Sequence, residues 1–301
     1  MKYLKVTKVD YERLVDAVST NPAKVAKDTE SKYKRSIVKV AKEIESDLTH
    51  HRIILVTGPS GSGKTTTSNI LTEILLSKNV PCVVISMDDF YLSTKDRQLV
   101  DGKIDYESVD ALDVDLFKNC MDNLIKHCKS KMPRYDFVKG ELQKDAYELE
   151  VTEDTVIVIE GIHAFNPKMI SREMEDKIFR LYVHTNSYFY SPFKVITPTM
   201  LRFFRRLVRD YHTRGASVDR TKEMWKGVID GEKKYILPYK KLADKCIDTT
   251  HLYEPFIYLE EISEISKIDP DAGTYLTIFE SQMTFDRSLV GDDALVHEFL
   301  S

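Results

Sequence analysis

Short apolar runs alternate along this chain with segments whose apolar residues recur every three or four positions. The runs predict buried strands, because β-branched residues are frequent in them and polar stretches bound them. They lie at residues 52–57, 80–86, 155–161, 177–184 and 245–249. The periodic segments predict helices at residues 25–48, 66–76, 110–131 and 221–240, with another that begins at Thr197-Pro198. Strands that alternate with helices in this way predict an α/β domain.

Other segments fall outside this alternation. Residues 1–50 are predicted to be a helical extension interrupted at Asn21-Pro22, and we expect the amphipathic helix at 25–48 to pack on the core or on a second subunit of a homo-oligomer. Alternation at 146–151, after a break at 133–137, predicts an inserted β-hairpin. Asn166-Pro167 predicts the start of a further helix. Residues 92–109 are predicted to be a polar loop, and the tail from residue 253 shows amphipathic helix and acidic loops without identifiable chemistry.

A glycine-rich loop, GPSGSGKT at residues 58–65, joins the first of these strands to the helix at 66–76. It matches the full G-x-x-x-x-G-K-[ST] pattern, in which backbone N–H groups and a helix N-terminus converge on phosphates. Lys64 should reach the β- and γ-phosphates, and the Thr65 hydroxyl should bind Mg²⁺. A flexible glycine turn is the alternative, but the flanking strand and helix favour a site for a nucleoside triphosphate. The predicted contacts are Gly58, Ser60, Gly61, Ser62, Gly63, Lys64, Thr65 and Thr66.

Carboxylates follow two of the predicted strands. Asp88 and Asp89 come directly after the strand at 80–86, and Glu160 lies at the end of the strand at 155–161. Open α/β sheets bind ligands at the carboxyl ends of their strands. A phosphotransferase needs a carboxylate there, to accept a proton from the attacking hydroxyl or to help hold Mg²⁺. The alternatives are an Asx turn for the aspartates and a solvated strand end for the glutamate.

The helix that begins at Thr197-Pro198 is the most basic one. Its arginines at 202, 205, 206 and 209 share one helical face, and Arg214 follows them. Planar guanidinium groups suit phosphate oxygens and can neutralise the charge that develops during phosphoryl transfer. A solvated charged face and an RNA-binding strip are the alternatives.

Whole-chain properties narrow the class of protein. The 301 residues leave room for one large α/β domain with additions or for two domains, and 42% hydrophobic residues suffice for a core. A net charge of −4 and a pI near 6.1 argue against a nucleic-acid binder. The four cysteines lack C-x-x-C or metal-site spacing, no apolar run is long enough for a membrane span, and the first residues do not form a signal peptide. We therefore expect a cytoplasmic protein with reduced thiols.

Together these residues resemble the uridine kinase and phosphoribulokinase family of phosphate-loop kinases. The resemblance rests on the loop at 58–65, SMDDFY at 86–91, PRYDF at 133–137, IEGIHAFNP at 159–167 and RRLVRDYHTRG at 205–215. GEKKYILPYKKLAD at 231–244 and HEFL at 297–300 resemble a longer subgroup of uridine-kinase-like nucleoside kinases. The family implies a doubly wound parallel sheet with a lid, and transfer of the γ-phosphoryl group of Mg²⁺-ATP to a ribose 5′-hydroxyl. It also implies a kinase core at 51–252 with an arginine-rich lid around 202–240, between helical extensions at 1–50 and 253–301.

The resemblance further implies roles for individual residues. Asp88 would be the catalytic base, with Lys64 and Arg209 on the transferring phosphates. Thr65, Glu160 and Asp88 would lie at Mg²⁺, and Arg214 would contact ATP. Glu107, helped by Asp105, would hold the ribose hydroxyls opposite Arg206. The remaining implied substrate contacts are the aromatic residues Tyr91, Tyr135 and Phe137.

Two positions depart from the family pattern, and three hypotheses remain. Val138-Lys139-Gly140 stands where pyrimidine kinases carry a base-reading histidine, and Ala216 stands where they carry a second lid arginine. The first departure leaves the base preference open, and the second leaves the phosphate contacts open. The leading hypothesis is a nucleoside kinase with uridine as substrate. The second is a related kinase for a sugar phosphate or a pantothenate-like alcohol, and the third is a nucleotide-dependent switch or binding module. The chain lacks the N-K-x-D and L-S-G-G-Q motifs that a GTPase switch or a transporter ATPase would carry.

Overall fold

A computed structural model describes residues 6–97, 99–100, 103–279 and 283–300 of the chain. Within these ranges the α-helices are α1 Tyr11–Thr20, α2 Pro22–Glu45, α3 Lys64–Ser77, α4 Val114–His127, α5 Pro198–Arg214, α6 Val218–Gly231, α7 Glu254–Ser266, α8 Gly273–Leu276 and α9 His297–Leu300. The strands are β1 Thr7–Asp10, β2 Ile53–Thr57, β3 Cys82–Ser86, β4 Leu99–Val100, β5 Lys103–Ile104, β6 Lys129–Asp136, β7 Glu141–Glu150, β8 Val156–Glu160, β9 Ile178–His184, β10 Ser187–Tyr190, β11 Val195–Ile196 and β12 Lys245–Asp248.

A five-stranded sheet lies at the centre of the fold, in the order β12-β9-β2-β8-β3, and all of its pairings are parallel. β2 and β8 are buried along their whole length, as their apolar sequences predict. In the register of the sheet, Glu160 at the end of β8 is paired with Val56 of β2 and with Ser86 of β3. The carboxyl ends of these three strands therefore form one edge, and the loop at 58–65 begins there.

Helices cover both faces of this sheet. Ile54 and Val56 of β2 belong to one buried cluster with residues of α2 and α3. Ile53 and Leu55 belong to another cluster, with residues of α4. Successive strand residues point to opposite faces, so β2 is buried between two helical layers. The prediction of a doubly wound α/β fold is confirmed, and the helix predicted at 25–48 packs on the core of its own chain.

A third buried cluster joins the N-terminal and C-terminal segments to α5. It contains residues of α1, α5 and α7, together with Phe189 of β10. β1 pairs in parallel with β10, and β10 pairs with β11, in a separate small sheet. The helical prediction for residues 1–50 omits β1, because a four-residue strand leaves little periodicity to detect.

Two predicted helices end or continue differently in the structure, and another is absent. The helix predicted at 110–131 ends at His127, because Cys128 adopts a left-handed conformation with a φ of 55°, and β6 of the predicted hairpin starts at Lys129. The helix predicted after Asn166 is wrong: only a 3₁₀ turn, Pro167–Met169, follows. The run predicted at 221–240 begins at Val218 and continues beyond α6 as a π-helical turn and a 3₁₀ helix, since a proline at 238 lacks the N–H that an α-helix needs.

Two whole-chain features accompany this fold. Within the described ranges, no helix combines the length and the apolar character needed to cross a membrane. All four cysteines carry unpaired thiols.

Candidate active site

A cleft of about 370 Å³ opens at the carboxyl edge of the central sheet. Most of the residues predicted for the site line it: Ser60, Gly61, Gly63, Lys64, Thr65, Asp88, Tyr91, Glu107, Tyr135, Phe137, Glu160, Arg206, Arg209 and Arg214. Residues without a predicted role also line it: Thr94, Arg97, Tyr106, Gly140, Ile162, Met224 and Glu298. The topology explains part of the gathering, because the phosphate loop, Asp88 and Glu160 lie at the carboxyl ends of β2, β3 and β8, which share one edge of the sheet.

The loop after β2 has a backbone that requires glycine. Gly61 and Gly63 have positive φ angles of 73° and 83°, which glycine adopts without strain. A Cβ atom on Gly63 would lie 2.5 Å from the side chain of Leu295. Lys64 begins α3 and its Nζ lies 3.5 Å from the Pro59 carbonyl oxygen, so its ammonium group stays close to the loop. This geometry is that of a phosphate cradle.

Two arginines of α5 hold the loop in place. Arg202 donates a hydrogen bond of 3.0 Å to the Ser60 carbonyl, and Arg205 donates one of 3.0 Å to the Gly61 carbonyl. Arg205 is fully buried, and its Nε and Nη2 atoms lie 2.7 and 2.9 Å from the carboxylate oxygens of Glu254. The carbonyl groups of Ser60 and Gly61 therefore point toward α5. The prediction of a shared phosphate-facing role for the arginines of this helix is wrong for Arg202 and Arg205, because buried partners engage them.

Arg206, Arg209 and Arg214 line the cleft and surround one buried carboxylate, Asp210. The distances from their guanidinium nitrogens to the Asp210 oxygens are 3.1, 3.5 and 3.1 Å. One buried acid thus offsets part of the repulsion among three cations and holds them together. Asp210 was not predicted as a site residue, although its spacing of four residues from Arg206 and from Arg214 is a helical signal that indicates these contacts.

Asp88 and Glu160 lie near each other at the strand ends. Asp88 is in a 3₁₀ helix, Met87–Phe90, that follows β3, while an oxygen of Glu160 accepts a 2.9 Å hydrogen bond from the Ser86 hydroxyl. Burial and the nearby Asp88 raise the pKa of Glu160 to about 7, against the opposing field of Lys64. Partial desolvation by the surrounding protein also raises the pKa of Asp88, and the charge of Lys64 again opposes this shift. Solvent still reaches Asp88 through the cleft.

These acids suit a magnesium ion that is shared with phosphates. Mg²⁺ usually takes one or two protein carboxylates and completes its shell with water and substrate phosphate oxygens. Asp88 and Glu160 supply two carboxylates, and Thr65 supplies a hydroxyl on the same cleft. In the described part of the chain, no cluster of three or more His, Cys, Asp or Glu side chains could hold a metal by itself. Two carboxylates and one hydroxyl on the same cleft fit a Mg²⁺ ion that is shared with the phosphates of a nucleotide.

Glu107 lines the cleft and is held from behind by Asp105. One oxygen of Asp105 accepts a 3.0 Å hydrogen bond from the Glu107 amide, and the other accepts a 2.8 Å hydrogen bond from the Tyr235 hydroxyl. Asp105 lies behind the lining residues of the cleft, and its hydrogen bond positions Glu107. Burial raises the pKa of Glu107 to about 7, while Arg206 and Lys64 act in the opposite direction.

An aromatic cluster forms another wall of the cleft. The ring centroids of Tyr91, Tyr135 and Phe137 lie 4.9 to 6.5 Å apart. Tyr135 is on β6, and Phe137 follows it in the hairpin turn with 66% of its surface exposed. Such rings offer flat apolar surface to a planar ligand.

Three predicted contacts of the triphosphate lie behind the cleft. A Cβ on Gly58 would lie 1.9 Å from the Val183 carbonyl oxygen, so this glycine permits close packing of the loop on β9. Ser62 is buried, and its hydroxyl has no hydrogen-bond partner among the described residues. The amide of Thr66 donates a 3.2 Å hydrogen bond to Glu298, and its hydroxyl donates to the same oxygen.

Glu298 brings the C-terminal segment into the site. It lies on α9, whose Phe299 has its ring centroid 5.0 Å from the guanidinium of Arg205. Leu295, just before this helix, packs against Gly63. Leu295 and Phe299 are fully buried, so this segment is fixed to the loop. The interpretation of the tail as lacking chemistry is therefore incomplete. The sequence offered only the HEFL similarity, which does not indicate what the glutamate contacts.

Comparison with known proteins places this geometry in a family. The model of the phosphoribulokinase / uridine kinase family matches residues 53–252. A uridine kinase of Borrelia garinii subsp. bavariensis is 30% identical over 197 residues, which are 65% of this chain and 85% of that protein. A uridine kinase of Leuconostoc citreum is 28% identical over 218 residues, covering 72% of this chain and 91% of that protein.

Similarity to solved structures is looser. A protein described as a possible uridine kinase from Bacillus stearothermophilus has a TM-score of 0.47 and 20% identity, covering 71% of this chain and 98% of that one. A D-glycerate 3-kinase from Cryptococcus neoformans has a TM-score of 0.46 and 14% identity, covering 66% and 87%. At such scores neither similarity bears on the substrate of this chain.

Proposed function

The chain belongs to the phosphoribulokinase/uridine kinase family, and we propose that it transfers the γ-phosphoryl group of ATP to the 5′-hydroxyl of a ribonucleoside, with uridine as the leading substrate. The observation that carries this proposal is a single cleft lined by the phosphate loop, by Asp88 and by the aromatic cluster. Phosphoryl transfer requires donor phosphates and acceptor hydroxyl in line within one site.

Asp88 is the proposed general base. It lines the cleft together with Glu160 at the strand ends and with Tyr91 of the aromatic cluster. A carboxylate with a raised pKa is a better proton acceptor at neutral pH than an ordinary aspartate, and Lys64 favours its charged form. Asp88 would take the proton from the acceptor hydroxyl as that oxygen attacks phosphorus.

Cationic side chains would stabilise the transferring group. Lys64 would bind the β- and γ-phosphates, and Arg209 and Arg214 would neutralise charge on the phosphate oxygens. Asp210 holds both arginines at the cleft, which reduces the reorganisation needed when the nucleotide binds. Mg²⁺, when bound with ATP, would supply further charge neutralisation, held by Thr65, Glu160 and Asp88.

The acceptor side would bind a nucleoside through its sugar and its base. Glu107, positioned by Asp105 and facing the field of Arg206, would accept hydrogen bonds from the ribose 2′- and 3′-hydroxyls. Tyr91, Tyr135 and Phe137 would contact the base by stacking, which any base can use. Uridine leads because relatives of the chain bear the name uridine kinase.

A phosphoryl-transfer screen tests this proposal. Purified protein would be given Mg²⁺-ATP with uridine, cytidine, adenosine, 2′-deoxyuridine, pantothenate and pentose phosphates. We expect ribonucleosides to be phosphorylated, and 2′-deoxyuridine to be a poor substrate because it leaves the half-buried carboxylate of Glu107 with an unmade hydrogen bond. Lys64→Ala should lose activity at least about 100-fold. Turnover of a pentose phosphate or of pantothenate without turnover of any nucleoside would reject the proposal.

A further inference from the structure

We propose that Arg97 binds a carbonyl oxygen of the acceptor's base and thereby selects nucleosides whose base carries an oxo group at that position. The proposal rests on the nucleoside kinase function above and adds a specificity-determining residue to it. Arg97 lies in the segment 92–109, which the sequence presented only as a polar loop. The structure places its side chain on the cleft, with only 8% of the residue exposed.

Aromatic rings surround the guanidinium group of Arg97. Its central carbon lies 5.0 Å from the ring centroid of Tyr91, 5.1 Å from that of Tyr106 and 5.2 Å from that of Tyr135. No ion pair among the described residues includes Arg97. The negative faces of the rings therefore compensate its charge in place of a carboxylate. A partly desolvated cation of this kind gains from a further hydrogen-bond acceptor.

Two hydrogen bonds fix the orientation of the group. Nε donates to the Leu92 carbonyl at 2.8 Å, and Nη2 donates to the Tyr135 hydroxyl at 2.6 Å. In the described part of the chain, no hydrogen bond engages Nη1. A guanidinium carries five N–H donors, so a rigidly held part of the fork remains for a ligand in the cleft.

The surroundings indicate which ligand can use these donors. A phosphate would bring two negative charges to a single cation among aromatic rings, which is costly without further cations. A planar base fits the rings, and a ring carbonyl is a neutral acceptor for N–H groups. An exocyclic amino group in the same place would set its own N–H donors against the N–H donors of Arg97. The site therefore favours an oxo base such as uracil.

The hairpin turn explains why an arginine from another loop takes this place. Gly140 has a positive φ of 68°, and a Cβ there would lie 2.4 Å from the Thr94 hydroxyl oxygen. The Thr94 amide donates a 2.9 Å hydrogen bond to the Gly140 carbonyl. The turn thus packs closely on the segment that carries Arg97, which excludes a side chain such as histidine at position 140. Arg97 supplies a polar group at the same wall of the cleft.

The test compares uridine with analogues that lack either the 2-oxo or the 4-oxo group, in the wild type and in Arg97→Met. We expect Arg97→Met to lower kcat/KM for uridine by about 10- to 100-fold, the range of one hydrogen bond to a charged group. One of the two analogues should lose a similar factor in the wild type and almost nothing in Arg97→Met, because the variant already lacks the contact.

Controls separate this contact from a structural role. Arg134→Met removes an arginine of the hairpin that carries Tyr135. Arg134 lies over Tyr147 and away from the cleft lining, so this variant should leave kcat/KM unchanged. Tyr135→Phe removes one of the two hydrogen bonds that orient Arg97, so the difference between the two analogues should shrink in this variant. Equal losses for both analogues in the wild type and in Arg97→Met would overturn the assignment while uridine kinase activity stood. A wild type that phosphorylates no nucleoside would overturn the proposed function and this inference with it.

Discussion

Asp88 and Asp89 are adjacent in sequence and have different surroundings. Asp88 lines the cleft, whereas an oxygen of Asp89 accepts a 3.3 Å hydrogen bond from the amide of Tyr135 on β6. Strand alternation would also separate them, but both lie in the 3₁₀ helix Met87–Phe90, and the turn of that helix separates them instead. The first carboxylate is available for chemistry, and the second holds the hairpin.

Asp88→Asn keeps the shape of the side chain and removes its basicity. We expect kcat to fall by roughly 100-fold or more, while ATP binding, which depends mainly on the phosphate loop, survives. Asp89→Asn, the matched control, retains a hydrogen-bond acceptor for the Tyr135 amide and should cost much less. Steady-state kinetics with calorimetric ATP titration would check both. A severe defect in Asp89→Asn beside a mild one in Asp88→Asn would show that Asp88 is not the base.

Individual site residues could be predicted where a local pattern or a family motif marks them. The phosphate loop, Asp88 and Glu160 stand at fixed positions after buried strands, and the structure brings them to one cleft. Arg97 carried no such mark, and for Glu298 the HEFL similarity did not indicate a contact. Each enters the cleft through contacts with residues distant in sequence, Arg97 with Tyr135 and Glu298 with Thr66, and periodicity contains no information on such contacts.

α5 shows that one helix can serve the site in two ways. Arg202 and Arg205 bind carbonyl groups of the phosphate loop, while Arg206, Arg209 and Arg214 line the cleft. The sequence predicted the helix and its basic face well, because its apolar spacing is regular and Thr197 and Pro198 mark its start. It could not divide the arginines, because that division depends on Glu254 and Asp210 as buried partners.

α9 offers a test at the level of an element. The Glu298 carboxylate accepts hydrogen bonds from the amide and the hydroxyl of Thr66 at the N-terminus of α3. A helix N-terminus favours negative charge. We expect Glu298→Gln to bind ATP about 3- to 10-fold more tightly, because a negative charge beside the phosphates is removed. Calorimetric titration would measure this. Asp293→Asn is the matched control, since Asp293 lies in the same segment but pairs with Lys34 away from the cleft, and its ATP affinity should not change. Weaker ATP binding by Glu298→Gln would show that the carboxylate supports the nucleotide.

The central sheet could be predicted from the sequence better than the elements around it. Strands buried between two helical layers have continuous apolar runs, which are easily detected. The small sheet of β1, β10 and β11 was not foreseen, since its strands have two to four residues. Strand order required the family resemblance, because pairing between distant segments is not encoded in local periodicity.

The buried carboxylate of Glu160 should make the stability of the nucleotide-free protein depend on pH. Glu160 has its pKa raised from 4.5 to about 7, so the folded chain binds more protons than the unfolded chain between these values. Its contribution to stability is therefore present at low pH and is lost as pH rises toward 7. Glu160→Gln should raise Tm at pH 8 by about 2–5 °C more than at pH 5.

Thermal unfolding at the two pH values, without Mg²⁺ or ATP, would measure this difference. Glu12→Gln, a change of an exposed residue on α1, should shift Tm little at either pH. A Glu160→Gln variant destabilised equally at pH 5 and pH 8 would contradict the expectation that the buried negative charge of Glu160 lowers stability at high pH.

The contact between Thr66 and Glu298 also has a consequence for folding kinetics. The two residues are 232 positions apart, so their meeting closes a very long loop, whereas α3 itself forms through local contacts. The sheet and its covering helices can assemble before this contact is made. We therefore expect a refolding chain to regain most of its secondary structure first. The part of the cleft formed by the phosphate loop and α9 should be completed later, when α9 docks.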